Sequence, residues 1–182
     1  MSDSESDWIR RCQEGEKDAF GFLVRKYMQQ AYYTALGFLG THEDALDASQ
    51  EAFVRAYRSI ARFDREKKFF TWYYQILKNH CLNILRNRRI APSSLETLME
   101  VNEPESSDDS AEDLLHKSMM HKALWKALWT MEAEDRQIIV ARDLLDTPYA
   151  TLAEVMECPL GTVMSRLYYA RRRLRERMKG VM

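Results

Sequence analysis

The sequence lacks any apolar run approaching the roughly 20 residues that a helix needs to cross a bilayer. The segment from Met1 to Asp7 is polar and acidic, which is unlike a secretion signal. We therefore expect no membrane insertion and a protein that stays in the cytoplasm. Alternation of apolar and polar residues over a useful length is also missing, and this absence predicts an essentially all-α protein.

Catalytic and metal-binding patterns are missing as well. There is no glycine-rich phosphate loop, no H-E-x-x-H and no nucleophile motif. Cys12, Cys81 and Cys158 are odd in number and far apart, with no C-x-x-C pair and no histidine at zinc-ligand spacing. We interpret the cysteines as reduced packing residues, and we expect no enzymatic activity, no metal ion and no cofactor.

Charge is plentiful but sorted into blocks, although the formal net charge is only −1. From Lys67 to Arg89 there are six basic residues and no acidic one, and from Ile90 to Asp113 there are eight acidic residues and no basic one. From Arg166 to Lys179 there are seven basic residues and one acidic residue. Two basic surfaces are thus separated by an acidic spacer, a distribution that says more about partners than the net charge does.

The acidic spacer divides the chain. Ser94 to Ser110 is acidic, rich in serine, contains Pro104 and lacks helical periodicity, which is the composition of a flexible linker. We predict two small helical domains, residues 1–92 and 114–182, joined by an acidic linker at residues 93–113.

Apolar residues at three- and four-residue spacing predict the individual helices. The first domain has helical runs from Phe20 to Ala31, from Leu46 to Ile60 and from Phe70 to Ile84. Gly40 marks the end of the first run, and Thr41 or His42 marks the start of the second. Two further helices follow the linker, near Leu124 to Met131 and Ile138 to Leu145.

The chain ends in a predicted helix-turn-helix from Thr147 to Lys179. Thr147 is expected to cap a short helix with Pro148 at its first position, and Glu157-Cys158 is the expected turn. Pro159 then opens a long helix, whose inward stripe is Val163, Leu167, Ala170, Leu174 and Met178.

A helix fits the major groove of duplex DNA, where residues near its N-terminus contact base edges and later basic residues contact phosphates. The candidates for base contact are Thr162, Met164, Ser165 and Tyr168, with Tyr169 on an outer face beside them. The candidates for phosphate contact are Arg166, Arg171, Arg172, Arg173 and Arg175. The alternative is a solvated, arginine-rich helix that only suits its own dipole.

Three segments together resemble bacterial sigma factors of the extracytoplasmic-function (ECF) type. Leu160 to Leu174, LGTVMSRLYYARRRL, is similar to their C-terminal signature, Asp44 to Phe53 to their polymerase-binding helix, and Phe70 to Arg89 to their promoter-melting helix. The resemblance implies a factor that binds core RNA polymerase and promoter DNA and directs initiation for a stress or envelope-response regulon. It also implies an anti-sigma partner and a monomer when no partner is bound.

The resemblance also implies roles for particular residues. Asp44, Asp47, Gln50 and Glu51 correspond to the polymerase-binding surface, although an acidic helix face is often only solvated. The third helix corresponds to the one that binds the separated minus-ten strand, which requires rings for stacking, cations for the backbone and amides for base edges. The candidates are Lys67, Lys68, Phe69, Trp72, Tyr73, Lys78, Asn79, Asn83, Arg86, Arg88 and Arg89, with Phe70 and Tyr74 expected to pack in the core.

The sequence departs from the family pattern at three places. Ala150 and Thr151 stand where acidic residues are usual, and Glu157 stands where the turn usually has glycine, so that a left-handed backbone there costs about 1 kcal/mol. Met164 replaces a basic residue, and a thioether cannot bond a guanine edge as arginine does.

Two other functions fit parts of the pattern. One is a stand-alone helix-turn-helix regulator that acts as a dimer, and the other is an all-α scaffold whose basic helices are incidental. The aromatic and basic third helix favours the sigma factor over both, because neither alternative needs rings for unpaired bases.

Overall fold

The computed structural model describes residues 4–90 and 111–179, and all of its regular structure within these ranges is helical. The helices are α1 Glu5–Gln13, α2 Lys17–Leu39, α3 His42–Ser59, α4 Phe69–Ile90, α5 Ala111–Trp129, α6 Ala133–Ile139, α7 Tyr149–Val155 and α8 Leu160–Met178. Two compact units form, the first from α1–α4 and the second from α5–α8. The all-α prediction is confirmed.

Most of the predicted linker lies outside the described residues, so its flexibility stays a prediction. Helix α5 begins at Ala111, and the last part of the predicted linker, 111–113, is therefore helical. Because acidic residues are also favourable in the first turn of a helix, an acidic composition does not distinguish a linker from the start of a helix. Within the described ranges, no helix is long and apolar enough to cross a membrane.

Helix α1 is absent from the sequence prediction. Its start is a capping box, in which the Asp7 backbone N–H donates to Ser4 Oγ at 3.3 Å and the Ser4 N–H donates to the Asp7 carboxylate at 3.2 Å. Trp8 stacks on Phe22 of α2 with ring centroids 5.3 Å apart. This packing holds a nine-residue helix that is too short to be stable alone.

An aromatic cluster forms the core of the first unit. Phe69 and Tyr73 of α4 are fully buried, and Tyr73 stacks on Phe53 of α3 with centroids 4.4 Å apart. The Tyr73 hydroxyl donates to the backbone carbonyl of Ser49 at 3.2 Å. The cluster therefore fixes which side of α4 points away from the core.

Small residues let α3 approach the rest of the unit closely. Its buried stripe contains Ala45, Ala48, Ala52, Phe53 and Ala56. Leu46, which the sequence spacing places on the inward face, is 36% exposed instead. The alanine stripe begins one residue earlier than predicted, and this shift turns Leu46 to the surface. Helix α2 ends at Leu39, and Gly40 follows with φ of 90°, as its predicted stop requires.

The second unit packs α5–α8 around Trp125, Leu128, Ile138, Leu152 and Leu167, all fully buried. Arg136 is also buried, with its guanidinium 3.9 Å from the centre of the Trp129 ring. Burial lowers the pKa of Arg136 to about 10, so the group stays charged at neutral pH.

The start of the helix-turn-helix differs from the prediction. After α6 the backbone makes a π turn from Val140 to Leu144, and the Thr147 N–H donates to the Ala141 carbonyl at 3.0 Å. Thr147 is buried and does not cap α7, which begins at Tyr149 with Pro148 at the N-cap. The hydrogen bond to the π turn draws Thr147 inward, away from the capping position.

Candidate nucleic-acid interface

Helix α8 packs on the second unit through the predicted stripe. Val163, Leu167 and Ala170 are buried, and Leu174 and Met178 are half-buried. The turn before α8 contains Glu157 with φ of 52°, the left-handed conformation that its place in the motif predicts. The packing leaves the remaining faces of α8 open along its length.

The N-terminal half of this open surface is mainly apolar. Met164 is 54% exposed, Tyr168 65% and Tyr169 52%. Thr162 is half-buried, and the Ser165 hydroxyl donates to the Gly161 carbonyl at 2.9 Å. The four candidates for base contact and the neighbouring Tyr169 are thus accessible to some degree, and hydroxyls are their only polar side-chain groups.

Two of the candidate phosphate-binding arginines are held by aspartates of the same unit. The Arg171 Nε donates to Asp143 Oδ2 at 3.0 Å, and the Arg173 Nη2 donates to Asp135 Oδ1 at 2.6 Å. The bond to Asp143 raises the pKa of Arg171. These pairs join α8 to α6 and the π turn, a structural role that was not predicted for these arginines.

The other arginines of α8 are less constrained. Arg166 Nη1 lies 4.0 Å from Glu134 Oε2, at the limit of an ion pair, and Arg172 pairs with Glu176 of its own helix at 3.5 Å. Among the described residues, no carboxylate lies within ion-pair distance of Arg175. An open groove of about 710 Å³ runs beside α8, with Tyr149, Met164, Tyr168, Arg171, Arg172 and Arg175 among its lining.

Helix α4 carries the candidates for the minus-ten strand. Asn79, Asn83, Arg86 and Arg88 are exposed on it, Lys78 is half-buried, and Lys67 and Lys68 are exposed in the preceding turn. Arg86 Nη2 donates to Asn83 Oδ1 at 2.9 Å. The side chain of Arg89 lies outside the described residues. Asn79, Asn83 and Arg86 therefore lie on one side of α4, whereas Arg88 projects from another side and pairs with Asp44 of α3.

Phe69 and Tyr73 need correction as base-stacking candidates. Both rings are fully buried, and they stack near each other and on Tyr27 and Phe53. Burial also raises the pKa of the Tyr73 hydroxyl. Neither ring can reach an unpaired base in this conformation. Phe70 and Tyr74 are buried as the sequence analysis expects.

Trp72 is the ring of this group that remains partly exposed. It packs against Phe63 with centroids 4.9 Å apart and against Phe69 at 5.7 Å. One part of the indole is thus braced by the core while another part reaches the surface. A ring with an accessible part can stack on an unpaired base, which the two buried rings cannot do.

The four candidates for polymerase contact do not share one environment. Asp47 and Gln50 are exposed, whereas Asp44 forms an ion pair with Arg88 of α4 and Glu51 accepts from Arg55 at 2.8 Å. The exposed apolar residues Leu46 and Val54 lie on the same side of α3 as Gln50, one turn before and after it. Neither residue is predicted as a contact from the sequence, although two apolar residues eight positions apart on a polar helix face could have indicated one.

Comparison with known proteins identifies the family. Residues 23–90 match the family Sigma-70 region 2, and residues 121–174 match the family Sigma-70, region 4. The ECF RNA polymerase sigma-E factor of Haemophilus influenzae is 30% identical over 182 residues, covering 96% of this chain and 95% of the relative. The chain belongs to the ECF sigma factors. This sigma factor directs promoter-specific transcription initiation by RNA polymerase.

Other similar proteins span the same length of chain. The RNA polymerase sigma-H factor of Pseudomonas aeruginosa is 29% identical over 175 residues, covering 93% of this sigma factor and 91% of the relative. Among solved structures, CnrH in complex with the cytosolic domain of CnrY has a TM-score of 0.71 at 20% identity, covering 98% and 99% of the two chains. The Bartonella quintana sigma factor RpoE, in complex with the anti-sigma factor NepR, has a TM-score of 0.68 at 24% identity, covering 88% and 96%. At these identities the likeness establishes the fold.

Proposed function

We propose that the two units of this sigma factor contact different parts of the promoter and that the first unit also binds the polymerase. In the first unit, α3 binds core RNA polymerase and α4 binds the separated minus-ten strand. In the second unit, α8 enters the major groove of the minus-thirty-five duplex. The residues outside the described ranges, between α4 and α5, supply the acidic linker. The division predicted at residues 93–113 is kept in this proposal, except that the linker ends before Ala111, where α5 begins.

The observation that carries the proposal is the outward surface of α4. Its aromatic side is locked in the core, so Asn79, Asn83 and Arg86 are held on a rigid helix rather than on a loop. Amides offer a donor and an acceptor to a base edge, while the guanidinium suits the backbone phosphate. A regulator that binds only duplex DNA contacts no unpaired bases, so it does not require such a surface beside a partly exposed indole.

The proposed polymerase surface combines Asp47 and Gln50 with the exposed Leu46 and Val54. An apolar centre with polar neighbours is typical of a protein interface. Asp44 contributes indirectly, because its ion pair with Arg88 joins α3 to α4.

We also propose an anti-sigma partner that covers these surfaces, a stress or envelope-response regulon, and action in the cytoplasm as a monomer when no partner is bound. The similar protein CnrH was solved with the cytosolic domain of CnrY, and the similar sigma factor RpoE was solved with the anti-sigma factor NepR. An exposed apolar patch such as Met164, Tyr168 and Tyr169 gives a partner helix something to bury.

The proposal is tested by run-off transcription with purified core RNA polymerase and a genomic promoter pool. We expect specific transcripts only when the sigma factor is present, and Asn79→Ala to lower them about tenfold through loss of a base contact. Gln29→Ala, an exposed amide on α2, is the matched control and leaves the yield unchanged.

Two outcomes contradict the proposal. If no promoter gives a specific transcript, the chain does not act as a sigma factor under these conditions. If the chain alone protects a duplex from nuclease as well as the holoenzyme does, a stand-alone regulator explains it better.

A further inference from the structure

The side of α8 that carries Met164 and Tyr168 has no cation near the N-terminus of the helix to recognise guanine. Guanine presents two acceptors, N7 and O6, in the major groove, and a bidentate arginine or lysine is their usual partner. Arg166 is two residues from Met164 and therefore projects from another side of the helix, with its Nη1 4.0 Å from Glu134 Oε2, whereas Arg171 and Arg173 are bound to aspartates. Arg172 lies eight residues beyond Met164, about 12 Å along the helix, where phosphates rather than base edges are reached.

The hydroxyl groups in the N-terminal half of α8 do not replace the missing cation. The Ser165 hydroxyl is within bonding distance of both the Gly161 carbonyl, at 2.9 Å, and the Thr162 carbonyl, at 3.1 Å. Thr162 is half-buried near the start of the helix. A hydroxyl also pairs with several bases and discriminates poorly among them.

What this surface does offer is apolar area. Met164 and Tyr168 are one turn apart, 54% and 65% exposed, and they line the groove beside α8 with Tyr149. Their exposure costs free energy in water, and the cost is recovered only against an apolar group. The apolar group on a base edge in the major groove is the C5-methyl of thymine.

We infer that Met164 and Tyr168 recognise thymine C5-methyl groups. At the positions of the minus-thirty-five element that face these two side chains, this sigma factor therefore selects thymine and not guanine. This inference rests on the proposed docking of α8 in the minus-thirty-five duplex. Met164 is the residue that sets the preference, because it occupies the helix position closest to the N-terminus among the exposed apolar side chains that line the groove.

The first experiment uses the unmodified holoenzyme, so folding of a variant does not enter. A template library randomised over the minus-thirty-five region selects the preferred bases, and each selected thymine is then replaced by deoxyuridine, which lacks only the methyl. We expect thymine at two positions one or two steps apart, and an affinity loss of about fourfold for each deoxyuridine, the effect of one buried methyl group. Replacing cytosine by 5-methylcytosine at these positions should restore binding by a similar factor.

The second experiment uses variants at exposed sites. Met164→Ala should remove the difference between thymine and deoxyuridine at one position, and Met164→Arg should convert the preference there to guanine. Arg172→Gln is the control, because loss of a phosphate contact weakens all sequences alike.

The outcomes separate this inference from the function on which it rests. If the holoenzyme selects guanine at the positions that Met164→Ala affects, or if deoxyuridine binds as well as thymine, the methyl-recognition inference is wrong while docking stands. If scrambling the whole minus-thirty-five region has no effect on holoenzyme binding, the docking of α8 itself is wrong.

Discussion

Gln13 of α1 makes contacts that control the turn between α3 and α4. Its Nε2 lies 3.0 Å from the Ile60 carbonyl and 2.8 Å from the Phe63 carbonyl, and it donates to both. These carbonyls flank the 3-10 turn at Ile60–Arg62, which leads into the turn containing Lys67. One side chain from α1 thus holds the segment that joins the polymerase-binding and strand-binding helices.

Replacing Gln13 by methionine keeps the length of the side chain and removes both donors. A partly buried carbonyl that is left without its donor costs about 1–3 kcal/mol. The Ile60 carbonyl keeps the Phe63 N–H as a donor at 3.0 Å, so the loss falls mainly on the Phe63 carbonyl. We expect the turn to open about 2 kcal/mol more easily, which is about a 30-fold change in the opening equilibrium.

Hydrogen exchange on the full-length protein measures this change directly. The Phe63 and Lys67 amides, which donate to the Ile60 and Asp64 carbonyls, should lose about 30-fold protection in Gln13→Met. The α2 amides should change little. Arg10→Ala, which removes an exposed pair with Glu14 at 3.3 Å, is the control within α1.

The functional readout separates positioning from general destabilisation. Gln13→Met should reduce open-complex formation on a duplex promoter and leave binding to core polymerase unchanged, because α3 itself is intact. Unchanged protection at Phe63 and Lys67 would refute the reasoning, and so would an equal loss of protection across all of α1–α4.

Three further predictions follow from the geometry. Glu157→Gly should raise the free energy of unfolding of the second unit by about 1 kcal/mol, because glycine relieves the strain of the left-handed backbone at this position. Glu157→Ala should not raise it, and thermal unfolding of the two variants measures the difference. Asp143→Asn should release Arg171 for phosphate, steepening the salt dependence of holoenzyme–promoter binding by about one ion, and an unchanged slope would contradict this. Burial and the nearby Arg55 lower the pKa of His80 below 6.5, so its protonation opposes folding. Stability should therefore fall as the pH drops below 6.5, and His80→Gln should flatten that decline in urea titrations.

The sequence predicts best where one periodic pattern has a single solution. The stripe from Val163 to Met178 allows only one inward side for α8, and the position of Glu157 between two such helices determines its left-handed turn. The two-unit organisation follows in the same way from the break in periodicity after Ile90. These features depend on local spacing, which the sequence displays directly.

Prediction is poorer where packing chooses among equivalent residues. Rings at 69, 70, 72, 73 and 74 occupy every side of α4, so spacing alone cannot separate Phe69 and Tyr73, which are core, from Trp72, which reaches the surface. Helix α1 depends on Trp8 stacking against another helix, a contact that local propensity does not contain. Both errors arise because tertiary contacts override local preference.

Long-range charge pairing has the largest consequence for function. Arg171 and Asp143 are 28 residues apart, and Arg173 and Asp135 are 38 apart, so the basic block of α8 looks stronger in sequence than it is in the folded unit. Each phosphate contact contributes to affinity through release of a counterion, and a cation already paired with aspartate contributes less. The second unit is therefore suited to docking weakly on a duplex and to recognising its base edges through an apolar surface. Weak docking is consistent with a factor whose promoter binding depends on the polymerase that carries it, because two modest contacts on one particle act together far more strongly than either does alone.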